Sequence, residues 1–265
     1  MNKKLLFRWI KVILLLYGSL GLAFYYLQDK LLFQPVAVDK DYNYAFPMPY
    51  KEVNIPISEH SRLNLIQFTS TAVGDSTRGV VLYFHGNKKN VSWYARFAPY
   101  FTKWGYEVWM PDYAGYGKST GKFTEQELYD WALITYKLAR TRYRPDQIII
   151  YGKSLGTGVA AQLASIRDCR HLLLETPYYD FPAILRPYLS MYPLQRMLRF
   201  RLHTRSYLPE VTAPITIFQG TADWIVPYRN IKKLMPLLKP GDEVVRVEGG
   251  SHNDLFEFPK VIYEI

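Results

Sequence analysis

The segment IIIYGKSLGTG, residues 148–158, constrains the fold more than any other part of this sequence. Strand-forming residues run directly into a glycine, a lysine, a serine and further glycines. A serine on a sharp strand-to-helix turn has a strained backbone, and the residues two positions away must lack side chains to clear it. Gly152, Ser154 and Gly156 therefore predict a turn that exposes the Ser154 hydroxyl. Taken alone, the pattern also fits an ordinary glycine-rich turn with a solvated serine.

The rest of the chain alternates between strand and helix patterns. Strand patterns occur in residues 63–71, 79–87, 106–111, 147–152, 171–176, 213–223 and 242–250. Helical patterns occur in residues 92–105, 124–143, 155–166, 227–239 and, as a short final helix, 253–265. Such alternation predicts an α/β domain with a mostly parallel central sheet and helices on both faces.

A serine hydroxyl needs a base to take its proton before it becomes a good nucleophile. His252, in EGGSHNDLF, follows a predicted strand, and Asp223, in IFQGTADWIVP, follows an earlier one. Most histidines are ordinary surface or core residues, and an aspartate after a strand is common in turns. The order Ser154, Asp223, His252 is nevertheless the order of the α/β-hydrolase triad, so we predict that these residues are catalytic.

A tetrahedral intermediate also needs donors for its oxyanion. We predict the N–H of Leu155, which follows the serine, and the N–H of Asn87, in the loop FHGNKKN. Gly86 would allow close approach of the backbone, and His85 is expected to brace this loop rather than to titrate in catalysis.

The chain is basic, with a formal net charge of +10 and an isoelectric point near 9.4. Nucleic acid, an anionic membrane and an acidic substrate are the partners that such a charge suits. We find no nucleic-acid-binding motif, which favours the membrane. Cys169 is the single cysteine, so an intrachain disulfide and a cysteine-based zinc cluster are excluded. We expect Cys169 to be a buried apolar residue.

The N-terminal segment predicts a membrane anchor in residues 1–29, followed by a catalytic domain in residues 30–265. Basic residues precede the uncharged stretch Val12–Leu27, which ends in bulky aromatic residues. The stretch is slightly short for a spanning helix, and snorkelling basic side chains would extend it. A cleavable signal peptide is the alternative. The positive-inside rule places the N-terminus in the cytoplasm and the domain on the opposite side.

Residues 177–210 interrupt the alternation and are predicted to form a cap or lid. This segment mixes apolar and aromatic residues with several arginines. It suits an ordinary cap with a charged outer face, a cap whose arginines bind a substrate anion, or a lid that lies on a membrane.

Four blocks carry a resemblance to a known family: HGN at 85–87, DYAGYGKSTG at 112–121, GKSLG at 152–156, and GTADWIVP with GGSHND near the end. The sequence resembles the α/β-hydrolase superfamily and, within it, the BEM46-like branch that includes the ABHD13 and ABHD17 proteins. The resemblance spans about residues 28–265. It implies a serine hydrolase without metal or organic cofactor that acts on esters or thioesters; some relatives remove fatty acyl groups from proteins.

We therefore expect a membrane-anchored serine hydrolase for carboxylic esters or thioesters with apolar acyl chains. An amidase or aminopeptidase on the same triad is the alternative within the enzymes. A hydrolase fold without activity that serves as a scaffold is the alternative outside them.

Overall fold

In the computed structural model, residues 3–72 and 77–263 are described. The strands are β1 (Gln34–Pro35), β2 (Tyr50–Ser58), β3 (Ser61–Phe68), β4 (Gly79–Phe84), β5 (Lys88–Lys89), β6 (Tyr106–Pro111), β7 (Ile148–Lys153), β8 (His171–Glu175), β9 (Ile215–Gly220) and β10 (Glu243–Val247). The helices are α1 (Lys3–Leu32), α2 (Val91–Tyr94), α3 (Pro99–Thr102), α4 (Glu125–Arg140), α5 (Leu155–Ile166), α6 (Phe181–Leu185), α7 (Leu194–Met197), α8 (Thr204–Tyr207), α9 (Arg229–Leu234) and α10 (Pro259–Tyr263).

One eight-stranded sheet, in the order β10-β9-β8-β7-β4-β6-β3-β2, organises the chain. The pairs β2–β3 and β3–β6 are antiparallel, and every other pair in this sheet is parallel. Strands β1 and β5 form a separate parallel pair. The predicted α/β class and mostly parallel sheet are confirmed, and β7 occupies the middle of the sheet.

The central strands are buried along their whole length, because helices cover both faces of the sheet. Every residue of β4, β6, β7 and β9 is buried, as expected for strands enclosed on both sides. Helix α4 begins as its sequence predicts: the Thr124 hydroxyl accepts a hydrogen bond from the Glu127 N–H at 3.1 Å. Small side chains on α5, such as Ala160 and Ala161, let this helix pack closely on the sheet.

The structure corrects three local expectations. The helical pattern over residues 92–105 is not one helix; it is divided into α2, a short 3₁₀ turn and α3, which begins at Pro99. Proline lacks the N–H that a continuous helix needs, so it starts a new one instead. Of the final helix predicted for residues 253–265, the described part contains a 3₁₀ turn at Leu255–Glu257 and then α10, and residues 264 and 265 lie outside the described residues. Strand β2 was not predicted, because this edge strand is half exposed and contains Pro56.

Helix α1 is long and apolar enough to cross a membrane, although a helix near an N-terminus can also be a signal sequence. At about 1.5 Å per residue its 30 residues span about 45 Å. The helix extends to Leu32, and Phe33 then enters the hydrophobic core directly. The division of the chain at residues 29 and 30 and the function of 177–210 as a lid stay predictions.

Phe33 joins α1 to the domain through an aromatic cluster. Its ring centroid lies 4.5 Å from that of Phe200, 4.8 Å from that of Phe123 and 5.7 Å from that of Phe181. The side chain is only 4% exposed. Because Phe181 and Phe200 belong to the 177–210 segment, this cluster fixes the end of α1 against that segment.

Replacing Phe33 by Ala should destabilise the domain by about 3–5 kcal/mol, since a buried aromatic ring is lost and a cavity remains. The midpoint of chemical denaturation in detergent micelles measures this. Val36→Ala is the control, because Val36 is 43% exposed and should change the midpoint little. An unchanged midpoint for Phe33→Ala would show that the cluster does not hold the fold.

Candidate active site

Ser154 stands on a strained turn between β7 and α5. Its backbone has φ 49° and ψ −114°, a conformation that residues with a side chain rarely adopt. The Ser154 N–H donates to the Glu175 carbonyl at 2.9 Å, which ties the turn to the end of β8. The sequence prediction of a sharp turn at this position agrees with this geometry.

The two glycines beside Ser154 are required by close packing. A Cβ atom on Gly156 would overlap the carbonyl oxygen of Phe84 in β4. A Cβ atom on Gly152 would lie 2.5 Å from the Gly156 carbonyl oxygen and 2.7 Å from the Ala160 Cβ. Both distances are below any normal contact, so the turn can form only with glycine at 152 and 156.

The structure brings Ser154, His252 and Asp223 together, although they are far apart in the sequence. The Nε2 atom of His252 lies 2.9 Å from the Ser154 Oγ, and its Nδ1 atom lies 2.8 Å from the Asp223 Oδ2. Asp223 is 5% exposed and His252 is 8% exposed. This arrangement can move a proton from the hydroxyl to the imidazole, with the carboxylate orienting the ring.

Two loops at the carboxyl ends of β9 and β10 create this geometry. A Cβ on Gly220 would overlap the Gly250 carbonyl, and the Ala222 N–H donates to that carbonyl at 2.9 Å, so the loops lie in direct contact. The Asp223 Oδ1 accepts from the N–H groups of Ile225 and Val226 at 2.9 and 2.8 Å. The carboxylate is therefore held by its own turn, with its other oxygen facing the imidazole.

The loop after β4 also passes close to Ser154. Gly86 is close enough that a Cβ on it would lie 3.6 Å from the Ser154 Cβ. His85 is fully buried, with Nε2 3.2 Å from the Asp112 Oδ1, which fits the expected bracing function. The Tyr116 hydroxyl donates to the Asn87 carbonyl at 2.7 Å. These contacts fix the course of the backbone past the serine.

A cavity of about 290 Å³ opens in front of the serine. Ser154, His252, Asn87 and Leu155 all contribute to its wall. The remaining wall residues are mostly apolar or aromatic: Leu32, Gly86, Lys88, Lys89, Trp93, Tyr94, Lys153, Tyr178, Phe181, Ile184, Leu185, Ile225, Val226 and Asn253. Ser154 and residues of the 177–210 segment therefore border the same cavity.

Sequence reasoning missed a buried ionic cluster directly behind the serine. Lys153 and Glu175 are register neighbours on β7 and β8 and form an ion pair that is almost fully buried. The Lys153 ammonium also donates to the His252 carbonyl at 3.1 Å, and the Tyr151 hydroxyl donates to Glu175 Oε2 at 2.6 Å. Lys153 thus connects the serine strand to the histidine loop. A lysine beside the serine was visible in the sequence, but its partner was not.

Two tyrosines of the cavity wall were also missed. Burial raises the pKa of both Tyr94 and Tyr178 well above the usual tyrosine range, so their hydroxyls are neutral donors. The Tyr178 hydroxyl donates to the Leu155 carbonyl at 3.0 Å. With 23 tyrosines in the chain, no sequence signal distinguishes these two from the others.

Within residues 3–72 and 77–263, no group of three or more His, Cys, Asp or Glu side chains is arranged to hold a metal ion. Cys169 is partly buried and lies outside the residues that form the cavity wall. Burial raises the pKa of its thiol to about 12.

Comparisons with known proteins agree with this fold. Residues 75–199 match the family model described as serine aminopeptidase, S33. The Pyrococcus furiosus esterase Pf2001 has a similar structure, with a TM-score of 0.65 and 19% identity over 86% of this chain and 93% of that chain. The α/β hydrolase GrgF from Penicillium has a TM-score of 0.64 and 14% identity over 82% of this chain and 96% of that chain. At these identities the structural likeness speaks for the fold alone.

The strand–serine–helix turn at the centre of this sheet is that of the α/β-hydrolase fold, which the chain shares with these structural neighbours. Within it the chain is ABHD17-like. It is 29% identical over 188 residues to alpha/beta hydrolase domain-containing protein 17C of Xenopus tropicalis, covering 68% of this chain and 57% of the relative. The mouse protein of the same name is 27% identical over 212 residues, covering 77% and 63%. The match thus spans about three fifths of these relatives' length.

Gly156→Ala should disrupt the serine turn, because the added methyl group overlaps the Phe84 carbonyl. We expect a loss of about 1–3 kcal/mol in the free energy of unfolding, as for other overpacked sites, measured by chemical denaturation. Gly18→Ala is the control, since a Cβ there meets nothing within 4 Å. Equal stability of the two variants would contradict the packing argument.

Lys153→Met should leave the Glu175 carboxylate buried without its cation and cost about 3–5 kcal/mol in the free energy of unfolding. The double variant Lys153→Met, Glu175→Gln removes both charges and should recover most of that loss. Denaturation midpoints of the wild type and both variants measure the difference. A double variant as unstable as the single one would show that the uncompensated charge is not the cause.

Proposed function

We propose that this protein is a membrane-anchored serine hydrolase that cleaves carboxylic ester or thioester bonds through an acyl-enzyme. The observation that carries the proposal is the hydrogen-bonded series from Ser154 through His252 to Asp223, at the wall of a mostly apolar cavity. Likeness to the α/β hydrolases supports hydrolysis in general. The ester class and the catalytic residues are our own assignment.

The proposed reaction has two halves. The Ser154 Oγ attacks the acyl carbon while His252 Nε2 takes its proton, and the imidazolium then gives that proton to the departing oxygen or sulfur. Water next enters, loses a proton to His252 and attacks the acyl-enzyme, which releases the carboxylic acid and returns the proton to Ser154. Asp223 accepts a hydrogen bond from Nδ1 and stabilises the charged ring throughout.

The amides of Asn87 and Leu155 are the proposed donors to the oxyanion. Both residues belong to the cavity wall beside Ser154. The Leu155 amide is the first of helix α5, and the first amides of a helix have no acceptor within it. Preorganised donors of this kind are usually the largest single contribution to acyl-transfer catalysis.

The chemistry of the cavity wall favours an apolar acyl substrate over a peptide N-terminus. An aminopeptidase must hold a positively charged α-amino group, for which a carboxylate is the natural partner. The described wall residues include no carboxylate: Lys88 and Lys89 are exposed cations, and Lys153 is already paired with Glu175. Hydrolysis of an ester or thioester therefore suits this cavity better than the aminopeptidase activity in the family model's description.

Anchoring by α1 completes the proposal. The helix combines basic residues at its start with the uncharged stretch Val12–Leu27, and most of its apolar side chains are exposed. Water is a poor environment for such a surface, whereas lipid acyl chains suit it. We assign the N-terminus to the cytoplasm and the catalytic domain to the opposite side. A helix held in the bilayer raises the local concentration of a lipid-like substrate.

A fluorophosphonate probe tests the central assignment. We expect covalent labelling of the wild-type protein in its membrane, and none of Ser154→Ala, because only an activated serine reacts with this reagent. Hydrolysis of p-nitrophenyl esters should fall at least a thousandfold in Ser154→Ala, in line with removal of a triad member. Ser58→Ala, at an exposed serine in β2, is the matched control and should label normally. Normal turnover by Ser154→Ala would overturn the mechanism.

A further inference from the structure

Helix α1 contacts the 177–210 segment along one face, and the contacts extend deep into its apolar stretch. The rings of Tyr17 and Tyr192 stack with centroids 4.7 Å apart and an interplanar angle of 11°. The Tyr17 hydroxyl donates to the Met191 carbonyl, and the Tyr192 hydroxyl donates to the Tyr17 carbonyl, both at 2.9 Å. Gly21 makes room for this ring, since a Cβ there would lie 2.8 Å from the Tyr192 Cε1.

A second set of contacts lies nearer the domain. Gln28 is 1% exposed; its Nε2 donates to the Met197 carbonyl at 3.1 Å and its Oε1 accepts from the Arg199 N–H at 2.8 Å. Arg199 also pairs with Asp29 at 2.6 Å. From Tyr17 to Asp29 the two elements therefore run side by side for about 18 Å of helix.

The part of the segment that reaches Tyr17 carries no charge. We define the lid tip as residues 187–195, with the sequence PYLSMYPLQ, between Arg186 and Arg196. Tyr188 is 75% exposed and Met191 is 69% exposed, although both side chains are large and mainly apolar. An uncharged tip bordered by arginines is the pattern of a loop that enters lipid and keeps its cations at the phosphates.

The position of the lid tip along α1 gives the depth that the tip would have in a membrane. Tyr17 lies ten residues before the end of the uncharged stretch at Leu27, or about 15 Å along the helix axis. Half of a bilayer's hydrocarbon core is also about 15 Å. If α1 spans the membrane, a tip that touches Tyr17 cannot remain in water, because it would lie well below the phosphate groups.

We propose that the lid tip inserts into the acyl-chain region of the bilayer beside α1, so that substrate reaches the cavity from the lipid phase. This inference rests on the proposed membrane anchoring. Backbone groups in lipid need partners inside the protein, and several N–H groups of the tip have such partners in the tip or in the turn before it. The Tyr188 and Leu189 N–H groups both donate to the Leu185 carbonyl at 3.0 Å, and Tyr192 donates to Leu189 at 3.1 Å.

The cavity is bordered by residues that adjoin the two elements that would enter the bilayer. Ile184 and Leu185, on α6 immediately before the lid tip, form part of its wall, and so does Leu32 at the end of α1. An acyl chain that leaves the bilayer beside α1 and the lid tip would therefore meet these apolar side chains at the wall of the cavity that holds Ser154. The substrate class that this path suits is a long-chain acyl ester or thioester held in the membrane.

Fluorescence quenching in vesicles tests the insertion. The full chain carrying Met191→Cys is labelled with the fluorophore NBD and reconstituted into phosphatidylcholine–phosphatidylglycerol vesicles, some with doxyl groups on the acyl chains. Cys169 should label slowly, because burial raises the pKa of its thiol to about 12. Ile57→Cys, at an exposed position of the β2 edge strand, is the matched control.

We expect blue-shifted NBD emission at position 191 that acyl-chain doxyl groups quench, and water-like, unquenched emission at position 57. Water-like emission at both positions would overturn the insertion. Two readouts on the same sample separate that failure from failure of the proposed function: resistance to carbonate extraction reports anchoring, and fluorophosphonate labelling reports Ser154. Extraction by carbonate would overturn the anchoring and the insertion together.

Kinetics provide an independent test. Met191→Asp places a charge in the tip, which lipid disfavours strongly enough for a loss of about tenfold or more. Hydrolysis of a long-chain ester embedded in vesicles should fall by that factor, while hydrolysis of a short water-soluble ester stays unchanged. Met235→Asp, at an exposed methionine outside the lid segment, should affect neither. Equal losses on both substrates would contradict access from the bilayer.

Discussion

The strained backbone of Ser154 is the constraint on which the rest of the site depends. A residue held in such a conformation costs about 1–3 kcal/mol, and it persists only where its surroundings leave no alternative. Here β7 at the centre of the sheet fixes one side of the turn and α5 fixes the other. Gly152 in β7 and Gly156 in α5 lie at the closest contacts. Because the backbone at Ser154 cannot change conformation, its hydroxyl has a fixed position. The loops that carry His252 and Asp223 must therefore pack close to that position. Their close approach at Gly220 and Gly250 is the packing that does so.

The buried ion pair of Lys153 and Glu175 also helps to hold the Ser154 turn and the His252 loop in place. A buried ion pair adds little net stability compared with well-packed apolar residues, so its value lies in the positions that it fixes. Lys153 reaches the carbonyl of His252, and Glu175 accepts the Ser154 N–H with its own carbonyl. One ion pair therefore connects the Ser154 turn with the His252 loop. Its burial keeps water from competing for these contacts.

Sequence patterns predicted those parts of the fold that depend on the properties of short segments of the chain. The turn at Ser154 was predictable because only glycine fits beside it, and Asp223 and His252 because parallel strands end at the same edge of a sheet. The Lys153–Glu175 pair was not, since it depends on the register of β7 and β8. The contacts between α1 and the 177–210 segment join residues about 170 positions apart, such as Gln28 and Met197, and no local pattern encodes them. Strand β2 escaped prediction because a half-exposed edge lacks a continuous apolar run.

Helix α1 differs from a flexible tether because no linker separates it from the site. Phe33 follows its last residue directly and lies in the core, and the Asn87 side chain donates to the Leu32 carbonyl at 2.6 Å. Asn87 belongs to the loop whose amide is the proposed oxyanion donor, so the end of the helix is hydrogen-bonded directly to that loop. A flexible linker would let the domain rotate above the membrane and would only raise the local concentration of substrate. In the proposed anchored state, α1 instead fixes how the cavity faces the bilayer. The orientation of the helix in the membrane therefore determines how substrate reaches Ser154.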